Sequence, residues 1–443
     1  MYDQEIQLIL DYAKNKTDDI EIMLSEGNSF SVRIHNQKIE AFNYSDSKGI
    51  GVRVLKNGKA GYSYTEEFNP KTFRMIVDKA LENCELNEDN NLVILDNYPD
   101  LKNKPEVFSK ELEKVDLTSK IELTKKLESN AKKIDKRIIN VPYSMYADGS
   151  SYLRIVNSRG LDKNDHQNFA YAYVGVLAAD QQDKRMGFDF IVGRDFNKFD
   201  PEKLARTSVE KSIALLGGKE ISSGQYPVVF NNEMMATLLS TFSGIFSAQA
   251  VQEGKSLLKN KLNKKITSEK ITIYDDALHP DGLSTRAFDS EGYPSQKTIL
   301  IENGKLINLL HNTITARKDG VKSTGNASRG YKESIKVSPS NLYLKPGKDS
   351  PESLLNKYNQ VLQIVSLQGM HAGANPVSGD FSLSAEGFLY ENGIRKNSLK
   401  QFTVSGNILK ILEDVMEVGN DFKFNMNSVG APSILIEKLS VSG

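Results

Sequence analysis

The spacing of apolar residues at the start of the chain changes from a helical to a strand-like period. Residues 4–15 carry apolar side chains three or four positions apart, which is typical of an amphipathic helix. Alternating apolar and polar positions then predict five short strands, over residues 20–26, 29–35, 39–44, 49–55 and 58–65. Asn57-Gly58 favours a tight hairpin turn, so we expect these strands to pair antiparallel.

A polar, proline-containing linker over about 85–116 leads to a second unit of the same kind. Its helix is predicted over 117–135, and its strands over 138–147, 151–157, 168–179 and 185–192. Both units close with a Phe-Asx-Pro sequence that suits a helix start, because Asn69 and Asp200 can cap the helix and proline needs no N–H there. The parallel suggests two related modules; shared helix-start chemistry is the alternative explanation.

The pattern changes again at Tyr226. A short apolar strand, 227–230, leads into a helix predicted to continue to about Ala250, and strands and turns dominate beyond it. Asn303-Gly304 and Asn392-Gly393 each predict a further hairpin. We therefore expect an α+β fold with two helix-plus-antiparallel-sheet modules, over 1–84 and 117–217, and a mostly antiparallel β-rich C-terminal domain with a long helix, over 224–443.

Charge and composition restrict the classes of partner and compartment. The 443 residues include 57 Lys or Arg and 57 Asp or Glu, so the net charge gives no reason to expect nucleic acid or an anionic membrane as a partner. The acidic start, Met1-Tyr2-Asp3-Gln4-Glu5, differs from a secretory signal, and no apolar run approaches the roughly 18 residues of a membrane span, so we expect a cytoplasmic protein. Basic runs over 125–133 and 255–265 are interpreted as solvated surfaces.

Side chains that bind metals are sparse. Cys84 is the only cysteine, which excludes an intramolecular disulfide and a cysteine metal cluster, and we interpret it as a small residue on a helix. No two of the five histidines are close enough in sequence to share a helix face: His35, His166, His279, His311 and His371. Distant histidines can still converge in the fold. His371 lies in a glycine-rich sequence and is the most suggestive, although a hydrogen-bonded loop histidine is the favoured interpretation.

Two other sequences invite a chemical interpretation but lack its requirements. Ser323-Thr324-Gly325-Asn326 could cradle a phosphate, but it has neither the lysine spacing nor the strand-to-helix setting of a phosphate-binding loop, and we interpret it as a loop near a cleft. No Gly-x-Ser-x-Gly nucleophile elbow occurs, so a Ser-His-Asp triad is not favoured.

Several sequences of the second half resemble, in order, the third domain of the TldD/PmbA family. They are Gln252–Ser256, Phe288–Pro294, Thr298–Leu306, Ser323–Ala327, Gly379–Ser382, Thr403–Asn407, Val418–Asp421 and Ala431–Ser433. The resemblance is strong from about residue 224 to the end and weaker through the two N-terminal modules. The chain is identified as a PmbA-type, TldE-like member of this family, which also carries the label "modulator of DNA gyrase".

The resemblance implies a zinc site that this chain lacks. Catalytic TldD-type members carry HExxxH on the long helix of the third domain, where two His bind zinc, the Glu acts on the bound water, and a later Cys completes the protein ligands. The corresponding stretch here, Leu238–Ser247, contains no His and no carboxylate, and Cys84 lies in the first module. We therefore assign no catalytic, cofactor-binding or metal-binding residue to this chain and expect zinc in a TldD-type partner.

The resemblance further implies a function as the non-catalytic subunit of a zinc metallopeptidase that trims or degrades small unfolded peptides, with a possible homodimer when the partner is absent. A β-rich cleft can bind such a peptide as an added strand. One alternative is a metallopeptidase active as a homodimer through an atypical site built from His311, His371 and carboxylates. Another is an adaptor, in which the gyrase-modulator label reflects binding to another protein.

Overall fold

The N-terminal half is built on a single antiparallel sheet. The computed structural model describes residues 2–87 and 92–443. Six strands belong to this half: β1 (Asp19–His35), β2 (Lys38–Lys56), β3 (Lys59–Thr65), β4 (Ile138–Asn157), β5 (Asp162–Asp180) and β6 (Asp183–Gly193). Their order is β3-β2-β1-β4-β5-β6, and the pairing of β1 with β4 joins the two predicted modules into one sheet.

Three of these strands each combine two strands that the sequence predicted separately. Predicted strands 20–26 and 29–35 form one strand, as do 39–44 with 49–55 and 138–147 with 151–157. At the centre of the sheet, Gly27 lies opposite Ser47 on one side and opposite Ser151 on the other. The prediction of separate strands was wrong because small and polar residues were interpreted as turns, whereas hydrogen bonds to neighbouring strands keep the backbone extended there.

The helices of this half lie on one face of the sheet in two separate layers. They are α1 (Asp3–Ala13), α2 (Pro70–Leu86), α3 (Lys110–Glu113), α4 (Leu117–Ile134) and α5 (Pro201–Ala214). One layer, α1 with α2, buries Ile22 of β1, and the other, α4 with α5, buries Val32 of the same strand. The predicted caps are confirmed, since Asn69 and Asp200 each accept hydrogen bonds from two backbone N–H groups of α2 and α5.

The C-terminal half adds a six-stranded sheet, a seven-stranded sheet, a short two-stranded sheet and several short helices, all within the described residues. Its elements are β7 (Gly224–Phe230), α6 (Asn232–Phe242), α7 (Ala248–Gln252), β8 (Ile273–Asp276), β9 (Lys297–Glu302), β10 (Lys305–Leu306), α8 (Thr313–Asp319), β11 (Ala327–Ser328), β12 (Lys336–Val337), β13 (Leu342–Leu344), α9 (Pro351–Leu355), β14 (Gln360–Gln368), α10 (Met370–Gly373), β15 (Asp380–Glu391), β16 (Ile394–Ser398), β17 (Phe402–Asn407), α11 (Ile408–Glu413), β18 (Val415–Val418), β19 (Lys423–Phe424), β20 (Val429–Ala431) and β21 (Ile434–Ser442).

Most strand pairs of this half are antiparallel, and the predicted α+β class is confirmed. One sheet has the order β10-β9-β8-β13-β20-β19, and the other has the order β14-β7-β21-β17-β15-β16, with β18 on β21. The pairs β13–β20 and β7–β14 are parallel. The hairpins predicted at Asn303-Gly304 and Asn392-Gly393 are confirmed, with both residues of each turn at positive φ.

The predicted long helix is interrupted. α6 ends at Phe242, a short 3-10 turn covers Ser243–Phe246, and α7 begins after Ser247. The Ser247 side chain caps α7 by accepting from the Ala250 N–H, while the Ser247 backbone bridges to Leu310. The continuous helix was therefore a wrong prediction, because a contact with a distant loop competes with helix continuation at this position.

The two halves meet on the face of the N-terminal sheet that is opposite its helices. Met23 and Ile155 of the sheet are buried there together with Ala287 and Phe288 of the C-terminal half. Within the described residues, no helix is both long and apolar enough to cross a membrane.

Candidate functional site

The stretch Leu238–Ser247 lies between the two C-terminal sheets, because α6 contacts β19 and β20 of one sheet and β7 and β14 of the other. Its hydroxyl groups are mostly committed to the helix itself. Thr241 Oγ1 donates to the Thr237 carbonyl oxygen at 2.9 Å, and Ser243 Oγ donates to the Ser240 carbonyl oxygen at 2.8 Å. Such bonds to the preceding turn satisfy the side chain without an external ligand.

The remaining side chains of this stretch make it an apolar core. Phe242, Ile245 and Phe246 are almost completely buried, and the Phe242 ring contacts Phe381 of β15. Protein ligands of zinc are imidazole, thiolate and carboxylate groups, and this stretch supplies none. These residues therefore do not fit a zinc ion. Among residues 2–87 and 92–443, no group of three or more His, Cys, Asp or Glu side chains is arranged to hold a metal ion.

The histidines lie in separate parts of the fold. His166 stacks on Phe108 with ring centroids 3.9 Å apart, and His279 lies against the rings of Tyr343 and Phe424. His371 is exposed in the short helix α10, whereas His311 is buried. Burial lowers the pKa of His311, so its imidazole is neutral at neutral pH. His311 and His371 belong to no metal-binding group of the described residues.

The Ser323–Asn326 loop is folded around the backbone of His311. The His311 carbonyl oxygen accepts hydrogen bonds from the N–H groups of Thr324 and Asn326 and from Ser323 Oγ, while Thr324 Oγ1 accepts from the His311 N–H at 2.6 Å. Asn326 also donates to the buried carboxylate of Asp275 at 2.7 Å. The hydroxyl and amide groups that suggested a phosphate-binding loop are thus used within the protein.

Phe288–Pro294 carries two buried carboxylates that organise the same region. Asp289 accepts from three backbone N–H groups, those of Glu291, Tyr293 and Ala327. These bonds favour the carboxylate, but burial and the nearby charge of Glu291 outweigh them and raise the pKa of Asp289. The turn therefore holds a carboxyl group that titrates far above the ordinary range of an aspartate.

Glu291 extends this cluster across the boundary between the two halves. It accepts from the N–H and the hydroxyl of Thr313 at the start of α8, and it pairs with Arg53 of β2 at 3.3 Å. Arg53 also pairs with Glu21 of β1, which in turn binds Arg329. Nothing in the sequence distinguishes Arg53 or Glu21 as a buried residue, because a charged residue alternating with apolar ones in a strand is expected to face solvent.

A second charged contact joins the halves at the other end of the sheet. Glu233, in the first turn of α6, accepts from Lys211 of α5 and from Lys423 of β19, each at 2.9 Å. Both lysines also approach Asp189 of β6. The two cations hold the pKa of Glu233 below its ordinary value although burial opposes this. Arg185 of β6 and Glu386 of β15 form a further ion pair between the halves.

Comparison with known proteins gives the chain its family. Models described as PmbA/TldA metallopeptidase domain 1, central domain and C-terminal domain match residues 20–84, 110–216 and 223–443. A solved structure described as a putative modulator of a DNA gyrase from Thermotoga maritima is 33% identical, covers 100% of both chains and has a TM-score of 0.92. The chain belongs to the PmbA/TldD family.

Two more relatives bear names within the PmbA/TldD family. The crystal structure of TldE from Thermococcus kodakarensis is 25% identical, covers 99% of this chain and 100% of that chain, and has a TM-score of 0.89. Metalloprotease PmbA of Escherichia coli O157:H7 is 24% identical over 450 residues, with coverage of 100% of this chain and 96% of the relative. The whole length of this chain is thus similar to PmbA/TldD proteins.

In this PmbA/TldD chain, the sheet face opposite the helices also carries exposed aromatic residues. Tyr143 of β4, Tyr173 of β5 and Phe188 of β6 form a ring cluster in which Tyr173 and Phe188 stack at 5.7 Å. Phe169 lies on the same face of β5, four residues before Tyr173, and is 46% exposed. This surface adjoins the C-terminal half, since Lys423 lies over the ring of Phe190. Strand alternation predicts some outward-facing aromatic residues but not that three strands gather them.

We assign no binding or catalytic site to Cys84 or to the two basic runs. Cys84 is buried on α2, where burial raises the pKa of its thiol, so the interpretation as a small helix residue is confirmed. In the run 125–133, Lys125 pairs with Glu122, and Lys132 pairs with Glu128. In the run 255–265, Lys255 is exposed and pairs with Glu253.

Proposed function

We propose that this chain is the non-catalytic, TldE-like subunit of a zinc metallopeptidase, and that its catalytic partner is a TldD-type chain. The observation that carries the proposal is the stretch Leu238–Ser247, which the sequence resemblance aligns with the zinc motif and which supplies only hydroxyl and apolar side chains. The rest of the family's fold is retained over the full chain. Loss of the metal ligands within an intact fold favours a supporting subunit over an independent enzyme.

In the proposed pair, this chain helps to form and close the chamber that holds small unfolded peptides for trimming or degradation. The exposed aromatic surface of Tyr143, Phe169, Tyr173 and Phe188 supports this role, because it lies on the sheet face that the C-terminal half adjoins and offers apolar contacts to varied side chains. The proposed compartment is the cytoplasm. Zinc in the proposed pair is held by the TldD-type chain.

The test is to measure zinc content and peptide cleavage for this chain alone, for a TldD-type chain from the same cell alone, and for their mixture. An unstructured fluorogenic peptide serves as the substrate. We expect no stoichiometric zinc and no cleavage with this chain alone, and much faster cleavage by the mixture than by either chain. A TldD-type variant with the first His of HExxxH replaced by Ala is the matched control and should abolish cleavage by the mixture.

Two outcomes would overturn the proposal. Stoichiometric zinc together with cleavage by the isolated chain would favour the homodimeric peptidase. Equal cleavage by the TldD-type chain with and without this chain would remove its role as a required subunit.

A further inference from the structure

Within the described residues, much of strand β2 lies at a free edge of the sheet. Residues 50–56 of β2 pair with β3, but among the described residues β1 is the only strand partner of 41–48. Nearly every residue of this segment is exposed, including Phe42 (47%) and Tyr44 (63%). A free strand edge presents unpaired backbone N–H and C=O groups and can pair with another extended chain.

A cavity of about 560 Å³ adjoins this edge on the helix-bearing face. It is lined by α3 and the start of α4 on one side and by strands of the sheet, including β1, β2 and β4, on the other. Its apolar lining includes Phe30, Phe42, Leu112 and Leu117, and Leu117 is 46% exposed. A strand added to the edge would direct every second side chain toward this cavity, because side chains alternate between the faces of a sheet.

Two lysines near the cavity already interact with neighbouring side chains. Lys120 pairs with Asp148 and lies 5.0 Å from the centre of the Phe30 ring. Lys48 lies over the ring of Phe68 at 3.8 Å. The carboxylates of Glu113, on the cavity lining, and Asp46, farther along β2, are exposed; Glu113 lies 3.9 Å from His166 Nε2 and Asp46 interacts with the Tyr44 hydroxyl. An incoming segment with a lysine or arginine near its apolar side chains is therefore favoured over an acidic one.

The geometry points to a peptide-binding site at this edge: an extended segment of another polypeptide pairs with residues 41–48 of β2, inserts alternate apolar side chains between Phe42 and Leu117, and directs basic residues toward Glu113 and Asp46. Backbone pairing provides the affinity and the cavity selects the side chains. The cavity opens on the helix-bearing face, opposite the aromatic surface and the face that meets the C-terminal half, so the site goes beyond the proposed peptidase role and does not depend on it.

The test uses the full-length chain and fluorescently labelled peptides about nine residues long, which is enough to span the free edge. The first probe is KTFTLTFTK, in which Phe, Leu and Phe alternate with Thr between terminal lysines; variants with Val or Leu at the apolar positions complete the set. The same peptide with alternate backbone nitrogens methylated cannot extend a sheet, and ETFTLTFTE reverses the end charges. We expect saturable binding of the basic peptides, weaker binding of the acidic one and none of the methylated one.

Substitutions on the protein locate the site. The double variant Phe42→Ala with Leu117→Ala should weaken binding by about tenfold or more, because truncating apolar anchors in a pocket typically costs that much. Phe169→Ala is the matched control, since Phe169 is equally exposed but lies on the opposite face. It should leave binding unchanged. Hydrogen exchange of residues 41–48 should slow when peptide is added, and far-UV circular dichroism verifies that each variant is folded.

Three outcomes would overturn the inference. No saturable binding by any basic peptide would do so, as would binding that survives the double variant. If instead the chain alone forms dimers that Phe42→Ala converts to monomers and that peptide does not dissociate, the edge belongs to a second copy of this chain.

Discussion

Arg53 of β2 and Glu291 of the C-terminal half form an ion pair 3.3 Å apart in which neither side chain is exposed to solvent. The two residues are 238 positions apart in sequence. Glu21 on the neighbouring strand also pairs with the Arg53 guanidinium, at 3.1 Å. A buried ion pair of this kind adds little stability compared with apolar groups in the same place. Removing one partner, however, leaves a buried charge without full compensation and is strongly destabilising.

Replacing Arg53 tests that relationship. Arg53→Met leaves the buried Glu291 without its cation and leaves Glu21 with Arg329 alone, and we expect a loss of about 3–5 kcal/mol in the free energy of unfolding. Urea unfolding followed by circular dichroism measures it. The matched control is Arg33→Met on β1, whose partner Glu40 is 41% exposed, and its loss should stay below about 1 kcal/mol. Similar losses in the two variants would contradict the importance of the buried pair.

Asp289 should make stability depend on pH in an unusual direction. Its pKa is raised from 3.8 to about 7, so its contribution to the free energy of unfolding is fully present below about 4 and is lost as the pH rises through about 7. We compare the wild type with Asp289→Asn, in which this group does not titrate. The free energy of unfolding of the wild type minus that of the variant should fall between pH 4 and pH 7, by at most about 1.4 kcal/mol per pH unit.

Urea unfolding at pH 5, 6, 7 and 8 measures that difference. A difference that stays constant over this range, or that increases with pH, would show that the pKa of Asp289 is not raised in the folded protein.

Gly51 marks a close approach between β2 and the C-terminal half. A methyl group at this position would lie 2.0 Å from the carbonyl oxygen of Tyr331, which is backbone and cannot rotate away. Gly51→Ala should therefore lower the free energy of unfolding by about 1–3 kcal/mol through overpacking. Gly193→Ala, at the end of β6, has no atom within 4 Å of the new methyl group and should change it by less than about 1 kcal/mol. Thermal and urea unfolding compare the two, and an equal effect would contradict the close approach.

Glu233 tests the second contact between the halves. Glu233→Gln removes the nearer of the two carboxylates that Lys211 and Lys423 share, and at pH 7 we expect a loss of about 1–3 kcal/mol in the free energy of unfolding. Since the pKa of Glu233 is lowered from 4.5, its contribution is present above that pH and is lost as the pH falls below it, so wild type and variant should converge in acid.

The matched control for that contact is Glu253→Gln, which removes an exposed partner of Lys255 and should cost less than about 1 kcal/mol. Urea unfolding at pH 7 and pH 4 distinguishes the two glutamates. A Glu233 variant that loses the same free energy at both pH values would argue against a charge contact.

The sequence by itself determined the local elements and the lack of metal-binding side chains in Leu238–Ser247. Helix starts at Asn69 and Asp200 and the turns at Asn303 and Asn392 follow from short-range hydrogen bonding and φ preferences, so the structure repeats them. The lack of His and carboxylate in Leu238–Ser247 is likewise a property of composition, which no fold can alter.

Only the tertiary structure decided the features that depend on contacts between residues far apart in the chain. Gly27 stays within one long strand because both neighbouring strands pair with it, and the helix after Phe242 breaks because Ser247 bridges to Leu310. Arg53 is buried because a distant domain covers the polar face of its strand. Strand alternation specifies which side chains share a face, but whether that face meets water or another domain depends on packing between residues far apart in the chain.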